Sequence, residues 1–312
     1  MKIVSNEQVK YIEIDENSVG QRLDNFLLAQ LNGVPKSHVY KIIRSGEVRI
    51  NKGRTKNVYR LQLNDIVRVP PVKVDEKLAS EPARWMVESI KKRIIFEDDD
   101  LLVLNKPSGI PVHGGTANSH GVIETLRFIR KDERFIELVH RLDKATSGCL
   151  LIAKNRKMLN GMQTLLRNRK VTKTYTALLC GVVHQHSVKV NSPLQKRTLA
   201  SGEHRVRVHP EGKPSETVFK QLKQFKNATL VSALPKTGRT HQIRVHAKQL
   251  GHSIAGDERY STPLQYKSYR EQGLQRLFLH ASKLSFIHPL NDQPVSFEAP
   301  LDDALNAFLK RL

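Results

Sequence analysis

Two cysteines in 312 residues, Cys149 and Cys180, are too few for a disulfide framework or a cysteine-rich metal site. Both sit in apolar runs, GCLLIA and ALLCGVV, and read as buried strand residues. No apolar stretch approaches the roughly 18 residues that cross a membrane, and no signal peptide opens the chain. The expectation is a cytoplasmic protein without a membrane partner. Tryptophan occurs once, and Trp85 reads as packing a linker onto a domain rather than stacking on a base. The Gly/Pro-rich segment NKPSGIPVHGG lacks a Gly-Lys-Ser/Thr ending, and it lacks a GxGxxG pattern too. A nucleotide cofactor is therefore not expected, and the loop reads as a rigid wall that lets a ligand approach the backbone. Acidic residues are also scarce, with 30 Asp/Glu against 52 Lys/Arg, a net charge of +22. So large a surplus favours a polyanionic partner, most often nucleic acid.

What is present suits a globular protein with a real core: 39% hydrophobic and 26% charged residues. The length predicts two domains. The first unit is expected over 20–73, after an extension at 1–19. There RLDNFLLAQL puts Leu23, Phe26, Leu27 and Leu31 on one helical face. SHVYKIIRSG offers Ser37 as N-cap and Gly46 as the stop of a second helix, followed by short strands at VRI and DIVRVP. Eleven Lys/Arg face three Asp/Glu between Gly20 and Lys73. Arg44, Arg49, Lys52, Arg54 and Lys56 gather around the second helix and the turn after it, where they could converge on phosphates. Residues 74–93 read as a linker in which ARWMVESIKKR could be helical.

The second unit, 94–312, shows strand-like LLVLNKP, CLLIAK, TYTALLCGVV, ATLVSALP, LFLHASKLSF and VSFEAP. Helix-like GVIETLRFIR, NGMQTLLRN, THQIRVHAKQLG and LDDALNAFLKRL intervene. Strands often follow one another directly, so the expected class is α+β, with a largely antiparallel or mixed sheet flanked by helices.

Chemistry must come from few acidic groups. Thirteen histidines invite a metal, but His241 and His246 are five apart and no thiol or carboxylate pair completes a set. No metal is expected. In HRLDKATSG, Asp143 has no companion carboxylate of the kind that glycoside hydrolysis uses. Seventeen Lys/Arg against three Asp/Glu from Leu166 to Leu250 make its surroundings cationic. An acid so placed reads as an anion, a nucleophile or base. The plain alternative is a salt bridge to Arg141, and spacing alone does not choose between them.

The long segment HRLDKATSGCLLIAK, with VLNKPSGIPVHGG before it and KTYTALLCG and TGRTHQIRVHAKQLGHSIAGDERY after it, resembles the pseudouridine synthases of large-subunit ribosomal RNA. The N-terminal unit resembles the S-four-like RNA-binding module that several members carry. The resemblance implies that Asp143 is the catalytic aspartate, with Arg141 and His140 beside the site. It implies that Tyr175 covers the target base and takes the proton from carbon 5. It further implies that Arg244 pairs with Asp143, that Ile243 supports the base, and that Arg239 has a polar role nearby. The implied reaction exchanges the N1 link of uracil for a C5 link on an everted uridine and needs no cofactor. The aspartate either attacks the sugar or abstracts its 2′ proton. Two rivals are a non-catalytic RNA-binding assembly factor of the ribosome and an RNA glycosidase or nuclease. Monomer is the default state.

Overall fold

Two sets of apolar residues that cannot share one core divide the chain into the units Met1–Glu81 and Pro82–Leu312. The computed structural model describes all residues except 1–3, 6–7, 32–33, 75–80, 115–119, 134 and 199–203. The first unit comprises β1 (Val4–Ser5), β2 (Lys10–Glu13), α1 (Leu23–Gln30), α2 (Lys36–Arg44), β3 (Arg49–Ile50), β4 (Ile66–Val69) and β5 (Lys73–Val74). Leu23, Phe26, Leu27 and Leu31 are buried as their spacing requires, against Val39, Ile42 and Ile43 of α2. The buried Asp24 carboxylate ties the helices together, taking two bonds from Arg22 and one from Tyr40 Oη of α2 at 2.8 Å. The Arg22 guanidinium holds that carboxyl down at about 2.

Three expectations change in this region. Helix α2 starts at Lys36 behind Pro35, which carries no side-chain cap, so Ser37 lies inside the first turn and not at the N-cap. Proline presets the entry dihedral and moves the start forward. The segment expected as an extension supplies β2, which pairs with β4 in the order β2-β4-β3; residues 1–3 and 6–7 of it lie outside the described set. Within the expected linker, 75–80 is likewise outside; Arg84–Lys91 forms α3, the helix that ARWMVESIKKR allowed, and its Ile90 is fully buried in the core of the second unit, so this part is no mere linker. Trp85 faces away from that core and is 62% exposed, so it does not pack the segment down.

The second unit continues with β6 (Ile94–Glu97), β7 (Leu101–Lys106), α4 (Val122–Ile129), β8 (Glu137–Leu138), β9 (Ser147–Ala153), α5 (Arg156–Arg167), β10 (Thr172–Cys180), β11 (Ser187–Asn191), β12 (Leu194–Thr198), β13 (His204–Val208), β14 (Glu216–Gln224) and β15 (Ala228–Pro235). After these come α6 (Gln242–Gln249), α7 (Pro263–Glu271), β16 (Leu279–Ile287), β17 (Pro294–Glu298) and α8 (Asp303–Leu309). One mixed sheet runs β11-β14-β15-β10-β16-β9-β7-β6, with β17 beside β16 and β8 beside β9. All its pairs are antiparallel except β9–β16. The α+β expectation therefore describes the fold.

Every residue of β9 is buried because both faces are covered. Cys149 and Leu151 enter one core while Leu150 and Ile152 enter the other. Cys180 is buried in β10 as expected. Sequence reading passed over β6, β8, β12 and β13, over β11 and β14, whose lysines are exposed, and over α7, which buries only Tyr269. The start of α7 was marked all the same, by a capping box of Thr262 and Gln265 with Pro263 at the first turn. No helix among the described residues is long and apolar enough to cross a membrane.

The parallel junction depends on Gly148, which holds φ +110° opposite Ala281. A Cβ there would lie 2.2 Å from the Ala281 carbonyl oxygen, inside any tolerable contact with fixed backbone. Gly148→Ala is expected to destabilise the second unit by at least ~2 kcal/mol, read as a fall in the denaturation midpoint. An unchanged midpoint would show that the junction relaxes freely.

Candidate active site

The turn HRLDKATSG delivers its aspartate just before β9, at the middle of the sheet. Thr146 N–H closes the turn on the Asp143 carbonyl at 3.0 Å. The segment NKPSGI then clamps it. Lys106 Nζ, on a side chain with no exposure at all, donates to the carbonyls of Pro107 and Ile110, both at 2.8 Å, and of Lys144 at 3.3 Å. Gly109 N–H donates to Lys144 O and Ser108 Oγ to Ala145 O, each at 2.8 Å. The loop expected to be a wall is thus a fastening for the aspartate turn (its final glycine, Gly115, lies outside the described residues). Burial pulls the Lys106 ammonium down to about 7, helped by Arg276 and opposed by Asp143.

His140, Arg141, Asp143, Tyr175, Arg239, Ile243 and Arg244 all line one cleft of about 450 Å³. The Asp143 side chain is 25% exposed there, and among the described residues neither of its oxygens accepts a hydrogen bond. Its nearest cationic partner is His241, with Nε2 at 3.8 Å from Oδ2. Arg141 is exposed and makes no ion pair with Asp143 among the described residues, so the plain salt-bridge reading fails.

The expected pairing of Arg244 with Asp143 also fails. Arg244 donates from Nε and Nη2 to the two oxygens of buried Asp257 at 2.8 and 2.7 Å. The fork sets the plane and position of the guanidinium through Nε and Nη2, and none of its remaining N–H groups bonds Asp143 among the described residues. Arg244 still acts on Asp143 through space, since both line the cleft and Asp143 helps raise the arginine's pKa. Its guanidinium lies 4.9 Å from the centre of the Tyr260 ring.

That tyrosine orients His241. Tyr260 Oη accepts the Val206 N–H at 3.2 Å and lies 2.7 Å from His241 Nδ1. With the Asp143 carboxylate 3.8 Å from Nε2, the anion favours the imidazole proton on Nε2, and the phenol then donates to Nδ1. His241 occupies the N-cap of α6 with φ 52°, a left-handed conformation that costs a non-glycine residue energy and is held by these contacts. Burial and Arg244 push its pKa down to about 4, so the ring is neutral at physiological pH. His246, inside α6, is buried with Ser192, Ser215 and Thr217 as partners, away from the cleft.

Tyr175 lies where the β10–β16 register shifts, between Thr174 and Thr176. The extra residue lies on β16, where Ala281 and Ser282 stand opposite Tyr175 alone, and the phenol lines the cleft. Burial, reinforced by the Asp143 charge, raises its pKa above the usual phenol value. His140 Nε2 accepts the Leu151 N–H at 3.2 Å, and burial with nearby Lys173 draws its pKa to about 4. Ile243 is buried under the cleft, and exposed Arg239 is steadied by Pro214 O at 3.3 Å. Gln242 staples the loop above α6, accepting from Thr237 Oγ1 at 2.7 Å and from Arg239 N–H at 3.1 Å. Lys106, Gln242, Asp257 and Tyr260 stood in the quoted motifs without being singled out, and His241 was weighed only as a metal ligand; their tertiary partners distinguish them. No group of three or more His, Cys, Asp or Glu that could hold a metal occurs among the described residues.

In the first unit, Arg44 and Lys56 line a hollow of about 470 Å³ with Tyr40. Arg49 instead donates to Gly46 O, Arg54 lies against Gly46, and Lys52 sits in the following turn at φ 69°. The five cations share one region without sharing one hollow.

Comparison with known proteins matches residues 100–249 to the family described as RNA pseudouridylate synthase and residues 21–67 to the S4 domain. Among curated relatives, the ribosomal large subunit pseudouridine synthase C of Pasteurella multocida is 51% identical, over 99% of this chain and 95% of its own. That of Escherichia coli K12 is 50% identical over 97% of both chains. Among solved structures, human RNA pseudouridylate synthase domain containing 4 superposes with a TM-score of 0.61 at 26% identity, over 73% of this chain and 95% of that one.

Two outcomes are expected from the geometry. Lys106→Met leaves the carbonyls of Pro107 and Ile110 without this donor and Lys144 O with Gly109 N–H alone, at a cost of roughly 2–4 kcal/mol in denaturant titration, and frees the Asp143 turn; wild-type stability would contradict the clamp. Because burial lowers His241 and His140 to about 4, both are uncharged above pH 5.5. The pH–rate profiles of wild type and His241→Gln between pH 5.5 and 8.5 should therefore share one shape. An inflection near pH 6.5 that disappears in the variant would contradict this.

Proposed function

The chain belongs to the RNA pseudouridylate synthase family, and from that membership we propose that it isomerises specific uridines of large-subunit (23S) ribosomal RNA to pseudouridine. The observation that carries the reading is a solitary carboxylate, Asp143, whose oxygens accept no hydrogen bond among the described residues, at a cleft whose other lining is cationic, apolar or neutral and polar, with one tyrosine. The reaction breaks the N1–C1′ bond, forms C5–C1′ and moves one proton from C5 to N1, with no net redox change. A carboxylate not already committed to a salt bridge is able to attack C1′ or to remove the 2′ proton. Arg244, committed to Asp257, supplies positive potential beside Asp143 without occupying its oxygens.

Tyr175 forms the opposite wall for the uracil ring. Held as a neutral phenol by burial and by the Asp143 charge, it cannot keep a second proton. Transfer from C5 through Tyr175 is therefore a relay, its oxygen gaining one proton as it gives up another. Ile243 supports the base from below, and Arg141, His140 and Arg239 border the entrance. The target must leave its stack to reach the cleft, at a cost of a few kcal/mol, offset by phosphate contacts from Arg44, Arg49, Lys52, Arg54 and Lys56 of the S4 unit. The enzyme works as a cytoplasmic monomer with no metal or nucleotide cofactor. A binding-only role in ribosome assembly would leave the cleft's carboxylate and the tyrosine beside it without a purpose.

Pseudouridine mapping of 23S RNA, from cells lacking the gene and complemented with wild type or Asp143→Asn, tests the assignment. Particular uridines are expected to regain modification only with wild type, and purified Asp143→Asn should bind RNA within about threefold of wild type while losing at least ~10³-fold in rate. Modification that persists without the gene, or at the wild-type rate with Asp143→Asn, would overturn it.

A further inference from the structure

The cleft shares a wall with a second hollow of about 250 Å³, where Arg167, Arg169, Lys173, Lys236 and Arg239 meet with no acidic side chain in the lining. Four pieces of chain bring these cations together: the C-terminal end of α5, the start of β10, the residue after β15 and the loop leading to α6. Lys173 is the informative member. It is half-buried, burial alone lowers its pKa, and among the described residues it has neither an ion pair nor a hydrogen bond. A partly desolvated ammonium with no counter-charge is unfavourable until an anion arrives. Arg169 points the same way. It follows the α5 C-cap with φ 58°, a position where glycine is the unstrained choice, yet the chain places a guanidinium there.

We propose that this hollow is a phosphodiester subsite, in which Lys173 and the surrounding arginines grip the backbone phosphate adjoining the everted uridine. The proposal rests on the functional reading above and adds to it where the strand leaves the cleft. Lys173, Arg167 and Arg239 line both hollows, so a nucleotide in the cleft has its neighbouring linkage next to them. Guanidinium forks and an ammonium match non-bridging phosphate oxygens. A polymer suits the arrangement better than a free anion, because the two hollows are continuous along one wall.

The test uses the full-length protein and RNA stem-loops spanning a uridine that the wild type converts. Single methylphosphonate linkages, which remove one backbone charge, are placed at successive positions around that uridine. Wild-type affinity is expected to fall about 5- to 10-fold at one or two linkages flanking the target and little elsewhere. Lys173→Met, and separately Arg169→Ala with Lys236→Ala, should weaken binding to unmodified RNA by a similar factor and lower the log–log salt slope by about 0.7. In both variants the sensitive linkage should then cost nothing further, whereas Lys173→Arg should keep the sensitivity. Equal losses from that linkage in wild type and variants, or wild-type affinity in the variants, would overturn the subsite. Failure of the wild type to convert any uridine would instead refute the functional reading itself.

Discussion

The site depends on one buried contact set: the Lys106 ammonium spending its protons on carbonyls of the two loops that meet below Asp143. A turn rich in small residues would otherwise sample many conformations at the mouth of β9. Its backbone is fixed instead from below by NKPSGI and from behind by the parallel junction of β9 with β16, where Gly148 permits an approach that no side chain would. The rigid scaffold can therefore present a carboxylate whose own oxygens are left unbonded among the described residues. Positioning through the backbone rather than through the reacting group keeps that group available.

The surrounding electrostatics follow the same division. Arg244 would neutralise Asp143 if it paired with it, but Asp257 takes the Nε and Nη2 edge of the guanidinium with both its oxygens. His241 would add a charge if protonated, yet burial and Arg244 keep it neutral, and Tyr260 directs its Nε2 hydrogen toward the aspartate. Tyr175 is kept a phenol by its surroundings, partly by Asp143 itself. Cations are thus present in the walls without cancelling the single anion. A polyanionic strand approaching such a cleft is attracted by the periphery and meets one negative group only where its base has been turned inward.

Much of this was legible in the sequence wherever local pattern and chemistry coincide. Helix α1 could be read because its apolar face repeats at the helical period, and β9 because burial on both faces leaves an unbroken apolar run. All seven cleft residues named from the motifs do line the cleft. Contacts were not legible. The partner of Arg244 is 13 residues away in sequence, and nothing local favours Asp257 over Asp143. The tyrosine that orients His241 lies 19 residues on. Lys106 looked like one lysine among many, since burial of an ammonium is a property of the folded loops. Strands β11 and β14 escaped because outward lysines dilute their alternation, and Trp85 misled because a lone tryptophan is usually packed.

The central claim is that Asp143 meets an everted uridine while its oxygens are free. The most direct measurement is a crystal structure of Asp143→Asn bound to a stem-loop that carries a uridine modified by the wild type. The account predicts the target uracil out of its stack, against the Tyr175 ring, with its sugar next to residue 143 and Arg244 still on Asp257. A uridine left stacked in the RNA with the cleft empty, or Arg244 moved onto residue 143, would contradict it.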